Sequence, residues 1–300
     1  MIWTAELGRT LRSARVVVLL LLYAMFTVTA LSVVHGIAKS ITAQTDVQVA
    51  AGADPEAVQK LMDEAHKKFV STFFADDDAM AEALLVIPLV LLVVFKTSLR
   101  FLPLFAGIMG FDQLSGEVGP RSIRYLTVRS RRSSVMLGKF FAQATLLAGL
   151  MLLVDVGLCL HARFTEPDFA TGAMAMVLAR FWVSAVVFSS AYLALTALCS
   201  ALFRQPAVSL VFNLIVLFGF WLLALVGEFF RLEPDPKLPA ELAGQMVSKL
   251  AYLRYASVWH YSSDLLHPDL SHSGVAALAH LGFALFFLGL AYAVLRGRDL

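Results

Sequence analysis

The sequence predicts an all-α integral membrane protein with six transmembrane helices. Of its 300 residues, 59% are hydrophobic and only 15% are charged, whereas a soluble domain carries about a quarter charged residues. Several apolar runs reach about 20 residues, the length that a helix needs to cross a bilayer. These runs are continuous and do not alternate, which favours helices over a membrane-spanning barrel.

Six apolar runs define the predicted spans, and together they form a single transmembrane domain. Two polar regions interrupt them on one side of the membrane, residues 37–83 and 228–273, and a basic loop, residues 112–136, interrupts them on the other. The predicted spans are residues 16–34, 84–111, 137–160, 174–200, 207–226 and 274–295.

The first 15 residues have the pattern of an amphipathic helix. Their apolar stripe consists of Ile2, Trp3, Leu7 and Leu11, and the arginines lie largely off it. Such a helix typically lies in the membrane interface. An ordinary basic flank of the first span would show the same residues, and the pattern favours neither interpretation.

A second helix outside the membrane is predicted within residues 37–83. Asp54-Pro55-Glu56 supplies an N-cap, a proline at the first helical position and an acid in the first turn. We expect the apolar face of this helix to pack on the membrane domain or on a partner copy. The residues at helical spacing are Val58, Leu61, Met62, Ala65, Phe69 and Phe73.

The second span is unusual because it contains charged residues and prolines. Split at Lys96, each half of residues 84–111 would be too short to cross about 30 Å of hydrocarbon. We therefore expect one long span whose outer end projects from the bilayer, with Pro103 as the position of a kink.

The distribution of basic residues predicts the orientation of the chain. Cytoplasmic segments of membrane proteins carry an excess of lysine and arginine. Six spans place both termini on one side, and four basic segments fall on that same side, so we predict that both termini are cytoplasmic. These segments hold Arg9, Arg12 and Arg15, then Arg121, Arg124, Arg129, Arg131 and Arg132, then Arg204, and finally Arg296 and Arg298.

The polar region before the sixth span is rich in residue types that bind metals. It contains no helical pair of histidines at i,i+4 spacing, and Pro268 interrupts the stretch, so we predict no metal site. The net charge of +2 is too small to indicate a nucleic-acid partner. The residues concerned are His260, Asp264, His267, Asp269 and His272.

A motif surrounds the basic loop between spans two and three. It begins with Phe111-Asp112, continues with Ser115-Gly116-Glu117 and the basic stretch, and ends with Gly138-Lys139 at the start of the next span. This pattern resembles that of the ABC-2-type permeases, the membrane subunits of one class of ATP-driven exporters. The resemblance extends to the whole chain, which has six predicted spans, a short amphipathic N-terminal helix and a polar region between spans five and six.

Two details of the basic loop can be compared with the usual pattern of the family. Ser130-Arg131 or Arg132-Ser133 fills the place of a Ser-Arg pair near the loop end. Gly119-Pro120-Arg121 stands where the family more often has Gly-Thr. The match is therefore closer at the two ends of the loop than at its apex.

The resemblance implies an ABC-2-type exporter fold, a second permease copy, identical or different, and two cytoplasmic ATPase subunits. The chain has no G-x-x-x-x-G-K-[ST] phosphate loop, and Gly138-Lys139 is followed by Phe140-Phe141. We therefore expect ATP and Mg²⁺ in the partner ATPase, and no cofactor and no catalysis in this chain. The resemblance also implies a multi-pass protein of the bacterial cytoplasmic (inner) membrane, in contact with lipids.

Coupling to an ATPase requires a rigid element at the cytoplasmic face. Residues 114–128 are predicted to supply a short helix in which Glu117 pairs with Arg121, and Asp112 is expected to pair with Lys139. The alternative is that the arginines set the topology and bind anionic lipid headgroups. The candidate coupling residues are Asp112, Leu114, Gly116, Glu117, Arg121, Arg124, Arg129, Arg131, Arg132, Gly138 and Lys139.

Three charged residues fall inside predicted spans. Lys96 and Arg100 are one helical turn apart, and Asp155 comes to a depth similar to that of Lys96 at about 1.5 Å per residue. We expect an ion pair between Lys96 and Asp155, because unpaired charges in the membrane are costly. Such a pair could line a substrate path, or it could be structural, with side chains that reach the outer interface.

Two other classes of function are considered. A membrane-embedded hydrolase would need a nucleophile and an oriented base, and the sequence contains neither G-x-S-x-G nor H-E-x-x-H. An ABC-type membrane subunit that powers signalling or envelope machinery without transport would carry the same basic loop. The sequence therefore favours the permease over the hydrolase, and leaves the second class open.

Overall fold

A computed structural model of the chain confirms the all-α fold with six candidate membrane-spanning helices. It describes residues 2–50, 54, 60, 64, 66–72, 74, 77–119, 130–165, 171–230 and 249–298. These residues contain no β-strand.

The chain begins with two helices in direct succession. Helix α1, Ile2–Leu11, is separated by a tight turn from α2, Ala14–Ala50. In that turn the Ser13 hydroxyl donates a hydrogen bond of 2.6 Å to the Thr10 carbonyl oxygen. Helix α2 continues well past the predicted end of the first span at residue 34, so the start of the first polar region is helical.

Most of the predicted helix outside the membrane lies beyond the described residues. This applies to Pro55-Glu56 at its start and to all its predicted apolar positions except Phe69. Residues 66–72 are helical, Val70 is fully buried and Phe69 packs against the core. The described end of this segment therefore packs on the membrane domain.

The second span is not the single kinked helix that the sequence predicted. Helix α3, Asp78–Leu85, ends before α4, Leu89–Gly110, begins. Pro88 occupies the N-cap position of α4, and a proline disfavours the helical conformation in the residue before it. The interruption therefore lies at Pro88, whereas α4 continues through Pro103.

The middle of the chain forms one short and three long helices. They are α5, Ser115–Val118; α6, Arg132–Thr165; α7, Thr171–Leu202; and α8, Pro206–Phe229. The helix predicted over residues 114–128 is described only as far as Gly119, because residues 120–129 lie outside the described part. Pro206 opens α8 at the first helical turn, where its missing N–H leaves no hydrogen bond unmade.

The second polar region leads into the last span through three 3₁₀ helices, Lys249–Ala256, Val258–Tyr261 and Asp264–Leu266. Helix α9, Leu270–Gly297, follows. Asp269 caps this helix by accepting a hydrogen bond of 2.9 Å from the Ser271 backbone N–H.

Helix α7 is the centre of the bundle. In its most apolar stretch 72% of the residues are buried, compared with 11% in α8. Helices α4, α6 and α9 pack around it. The peripheral helices turn large apolar side chains outward, including Leu21 on α2 and Phe218 on α8. An apolar outer surface of this kind is expected where a protein meets lipid.

The first and last described residues, Ile2 and Arg298, lie at one end of the bundle, which we call the terminal face. There Arg132, at the start of α6, donates hydrogen bonds to the carbonyl oxygens of Leu295 and Arg296 at 2.8 and 3.0 Å. Arg298 donates a hydrogen bond of 2.7 Å to the Leu202 carbonyl oxygen at the end of α7. The opposite face carries α3, the 3₁₀ helices and the start of α9.

Candidate functional site

Lys139 is a buried cation at the terminal face. Its side chain is only 2% exposed, and its ammonium donates to Glu117 Oε1 at 2.7 Å and to Glu6 Oε1 at 2.9 Å. A charge removed from water is tolerated when it is paired and hydrogen-bonded. Lys139 therefore joins three helices, α6 through its own backbone, α5 through Glu117 and α1 through Glu6.

Arg9 completes this group on the solvent side. Its guanidinium lies 2.8 Å from Glu6 Oε2 and 3.5 Å from Glu117 Oε1, and its side chain is 65% exposed. We call Glu6, Arg9, Glu117 and Lys139 the charge cluster. Two carboxylates and two cations give it no net charge, so it is suited to holding helices together rather than to binding a free ion.

Gly138 allows α1 to approach α6 closely enough to form the charge cluster. A Cβ atom at this position would lie 2.8 Å from Ile2 Cγ2, which is closer than side chains pack. The Trp3 indole N–H also donates to Thr145 Oγ1 on α6 at 3.2 Å. Helix α1 is therefore a separate helix fastened to α6, and not a continuous flank of the first span.

Helix α5 is held against the end of α7. The Ser200 hydroxyl oxygen accepts hydrogen bonds from the backbone N–H groups of Leu114 and Ser115 at 2.9 and 3.0 Å. These are N–H groups at the start of a helix, which have no partner within the helix. A Cβ on Gly119 would lie 2.7 Å from the Arg204 carbonyl oxygen, so the end of α5 also touches the α7–α8 turn.

The predicted pair between Asp112 and Lys139 is not formed. Asp112 Oδ1 instead lies 2.6 Å from Arg15 Nη1, and the Arg15 guanidinium also lies over the Phe111 ring at 5.3 Å. The prediction was wrong because α1 and α5 bring two other carboxylates to Lys139, while the start of α2 brings an arginine to Asp112. Arg15 thus ties α2 to the end of α4.

The predicted loop arginines divide into three groups. Arg132 donates to the last carbonyl oxygens of α9, which anchors the helix end. Arg131 is exposed at the terminal face. The other three, Arg121, Arg124 and Arg129, lie outside the described residues, as does the predicted pair of Glu117 with Arg121.

A cleft of about 310 Å³ opens beside the charge cluster, between α1, the start of α2 and the α4–α5 junction. The charged residues in its wall are three acids and three bases, so it does not favour a free anion or a free cation. Gln113 and Gln143 are buried in the same wall. Its charged lining residues are Glu6, Arg9, Arg15, Asp112, Glu117 and Lys139.

The predicted intramembrane pair between Lys96 and Asp155 is also not formed. The Lys96 ammonium lies 5.2 Å from the centre of the Phe74 ring, whereas Asp155 lines a small cavity with Tyr23 and Ser98. Depth along two helices does not determine the direction in which side chains point, which explains the error. Arg100, one turn beyond Lys96, is exposed on α4.

The opposite face contains a polar contact that the sequence did not predict. His267 Nε2 lies 2.9 Å from Asp77 Oδ2, although the two residues are 190 positions apart. The other carboxylate oxygen of Asp77 accepts a hydrogen bond of 2.7 Å from the Met80 N–H and caps α3. No local pattern in the sequence indicates a contact between such distant segments.

The comparison with known protein families decides the class of this chain. Residues 1–300, the whole chain, match the profile of the ABC-2 family transporter proteins. The chain belongs to the ABC-2 family. No curated protein matches the sequence.

Membership of the ABC-2 family defines the kind of protein under study. ABC-2 family members are membrane components of ABC transporters, they work with ATPase subunits, and they are generally non-catalytic. The six apolar helices fit this class and indicate a multi-pass membrane protein. Among the residues that carried the resemblance, Glu117 and Lys139 form an ion pair. Glu6, Arg15 and Ser200 are further members of the site that motif comparison did not identify.

Proposed function

We propose that this chain is the permease subunit of an ABC exporter, in which a separate ATPase drives a substrate across the membrane. The observation that carries the proposal is Lys139, buried between Glu117 and Glu6. It supports the proposal because it connects α5, within the segment that resembles the coupling motif of the family, to helices α1 and α6.

The charge cluster offers a route by which movement of α5 reaches the spans. Removing one partner of a buried ion pair typically costs about 3–5 kcal/mol, so Glu117 and Lys139 are expected to move together. Lys139 moves with α6, and Ser200 ties α5 to α7. Nucleotide binding in the ATPase would then bias the membrane domain between two arrangements.

The terminal face is the cytoplasmic face in this proposal. Arg9, Arg12 and Arg15 lie at this end, and Arg131 is exposed there. An excess of arginine in short loops favours the cytoplasmic side. An exposed arginine is also suited to pairing with a carboxylate of the ATPase.

The proposed assembly has two permease copies and two ATPase subunits in the bacterial inner membrane. Family membership supports this composition. Arg100 is exposed part-way along α4, and a charge at this depth is costly in lipid. A polar path for the substrate beside α4 would solvate it, so Arg100 is the candidate for a path-lining residue.

The proposal is tested by comparing Glu117→Gln with Glu228→Gln. Glu228 lies at the end of α8 near the opposite face, in a longer contact of 3.5 Å with Arg254. The full-length chain is purified from its native membranes with the ATPase bound to it and reconstituted in vesicles. We expect Glu117→Gln to lower the rate of ATP hydrolysis coupled to transport about tenfold, which corresponds to roughly 1.4 kcal/mol. Glu228→Gln should leave this rate unchanged.

Two outcomes would overturn the proposal. In one, the wild-type chain is purified without any phosphate-loop ATPase. In the other, the two glutamine variants hydrolyse ATP and transport at the same rate. If ATP hydrolysis responds to Glu117→Gln but the wild-type vesicles accumulate no substrate, the complex transmits force without transport.

A further inference from the structure

Three residues that carry metal-binding side chains meet at the opposite face. Asp77 precedes α3, His267 precedes α9, and His272 lies in the first turn of α9. One ligand atom from each lies within 4.8 Å of the others. Two of the three side chains, those of Asp77 and His272, are exposed, so the group is open to solvent.

We propose that Asp77, His267 and His272 form a binding site for a transition-metal ion of the zinc type. Two imidazole nitrogens and one carboxylate oxygen suit Zn²⁺ and its neighbours, whereas Mg²⁺ and Ca²⁺ prefer oxygen ligands alone. Three protein ligands leave a fourth position for water, as in open zinc sites.

The surrounding contacts hold Asp77 and His267 in place. Asp77 uses Oδ1 to accept the Met80 N–H and directs Oδ2 at His267. Arg180 donates to the carbonyl oxygens of Leu266 and His267 at 3.0 and 2.6 Å. The backbone of His267 is therefore fixed from α7, and the carboxylate of Asp77 is fixed by its own helix.

The charge state of Asp77 is suitable for a metal ligand. The backbone hydrogen bond from Met80, and after it the hydrogen bond with His267, hold the pKa of Asp77 below its ordinary value. The carboxylate is therefore ionised at neutral pH. His272 stacks on His267, with ring centres 4.4 Å apart and planes inclined by 26°, which keeps the second imidazole beside the first.

Binding requires a small rearrangement. Zinc lies about 2.0–2.2 Å from nitrogen and oxygen ligands, so two ligand atoms of one tetrahedral ion lie about 3.4 Å apart. The three ligand atoms lie within 4.8 Å of one another, so the wider separations must shorten through rotation of the exposed side chains. His267 Nδ1 accepts a hydrogen bond from the Asp269 N–H at 3.1 Å. Metal at Nε2 would therefore require the imidazole proton to move from Nε2 to Nδ1, and the hydrogen bond from Asp269 would be lost.

The sequence alone favoured no metal in this region because the histidines have no helical i,i+4 pair. The structure adds Asp77 from a segment 190 residues away. A bound ion would tie the segment before α4 to the start of α9, and so would restrain two of the six spans at the same face. This site is independent of the charge cluster and of the proposed transport function.

The experiment uses the full-length protein in detergent, without an affinity tag and stripped of metal. Zn²⁺ is titrated against a chromogenic chelator. We expect about one Zn²⁺ ion per chain for the wild type. Loss of a residue that only supports a metal ligand typically weakens binding about 10–100-fold. His272→Gln and Asp77→Asn each remove a ligand, so each should weaken Zn²⁺ binding by more than this.

His260→Gln is the matched control, because it removes a histidine of the same polar region that lies outside the group. It should bind Zn²⁺ as the wild type does. Zinc should also raise the melting temperature of the wild type and of His260→Gln but not that of His272→Gln. Wild-type protein that binds no Zn²⁺, or binding that His272→Gln and Asp77→Asn leave unchanged, would overturn the proposal.

Discussion

At the scale of single residues, Lys139 determines how the terminal face is built. Its ammonium is almost completely removed from solvent and has two carboxylate partners on two different helices. A buried cation depends on such partners, since without them it would lose its hydration and gain nothing in return. Helix α1 must therefore remain on α6, because its departure would take Glu6 away from Lys139.

Substitution of Gly138 tests this dependence. In Gly138→Ala the new Cβ would lie 2.8 Å from Ile2 Cγ2 and 3.4 Å from the Trp3 backbone nitrogen, so α1 must shift. We expect a loss of about 1–3 kcal/mol, which is typical of overpacking. Thermal unfolding of the purified protein in detergent measures it as a lower melting temperature.

Gly149→Ala is the control for that substitution. Gly149 lies in the same helix, and no atom lies within 4 Å of the position of its Cβ. Alanine is favoured over glycine inside a helix by about 1 kcal/mol, so this variant should be neutral or slightly more stable. An equal loss of melting temperature in both variants would show that the approach of α1 is not the cause.

The partners of the charged residues were the least predictable feature of the site. The motif around the basic loop indicated that Glu117 and Lys139 belong to the site, but the sequence predicted that Lys139 pairs with Asp112. Glu6 lies 133 positions from Lys139, and only the packing of α1 on α6 brings the two together. Helical periodicity describes one element at a time, so it carries no information on such contacts.

At the scale of elements, α5 depends on its neighbours. Four residues form a single helical turn, and an isolated helix of this length is unstable in water. Leu114 is almost fully buried, and Ser200 accepts the first N–H groups of the turn. The turn is therefore stabilised by α7 and would loosen without it.

Ser200→Ala is predicted to loosen α5. The substitution leaves the buried N–H groups of Leu114 and Ser115 without an acceptor, which costs about 1–3 kcal/mol. Hydrogen exchange followed by mass spectrometry should show faster exchange in a peptide that contains both amides. Ser190→Ala on the same helix is the control, because Ser190 donates only to Val187 in its own helix. Unchanged exchange in Ser200→Ala would contradict the assigned role of Ser200.

The sequence predicted the number and type of the membrane-spanning elements more accurately than the residues at which they begin and end. A span must satisfy all its backbone hydrogen bonds internally, so each long apolar run indicates a helix. Hydropathy does not report whether a helix stops at the membrane surface. Helix α2 therefore extends beyond residue 34, and the break at Pro88 was missed because the sequence predicted one continuous helix with a kink at Pro103.

At the scale of the whole molecule, the two faces differ in charge. The terminal face carries Arg9, Arg12, Arg15 and Arg131, whereas Asp77, Asp78 and Asp269 lie at the opposite face. Short loops rich in lysine and arginine usually remain on the cytoplasmic side. A bundle whose two faces differ in this way therefore has a preferred orientation in the membrane. The predicted orientation rests on composition and on the even number of spans, without any knowledge of side-chain contacts.

Cysteine labelling tests this orientation directly. Arg12 at the terminal face and Ser71 near the opposite face are both exposed, so each is replaced by cysteine in a chain whose native cysteines, Cys159 and Cys199, are changed to alanine. A membrane-impermeant maleimide should label Ser71→Cys in intact cells and Arg12→Cys only after the cells are permeabilised, because arginine-rich ends remain cytoplasmic. The reverse pattern would place the charge cluster outside the cell, beyond the reach of a cytoplasmic ATPase, and would thereby remove the basis for coupling through Lys139.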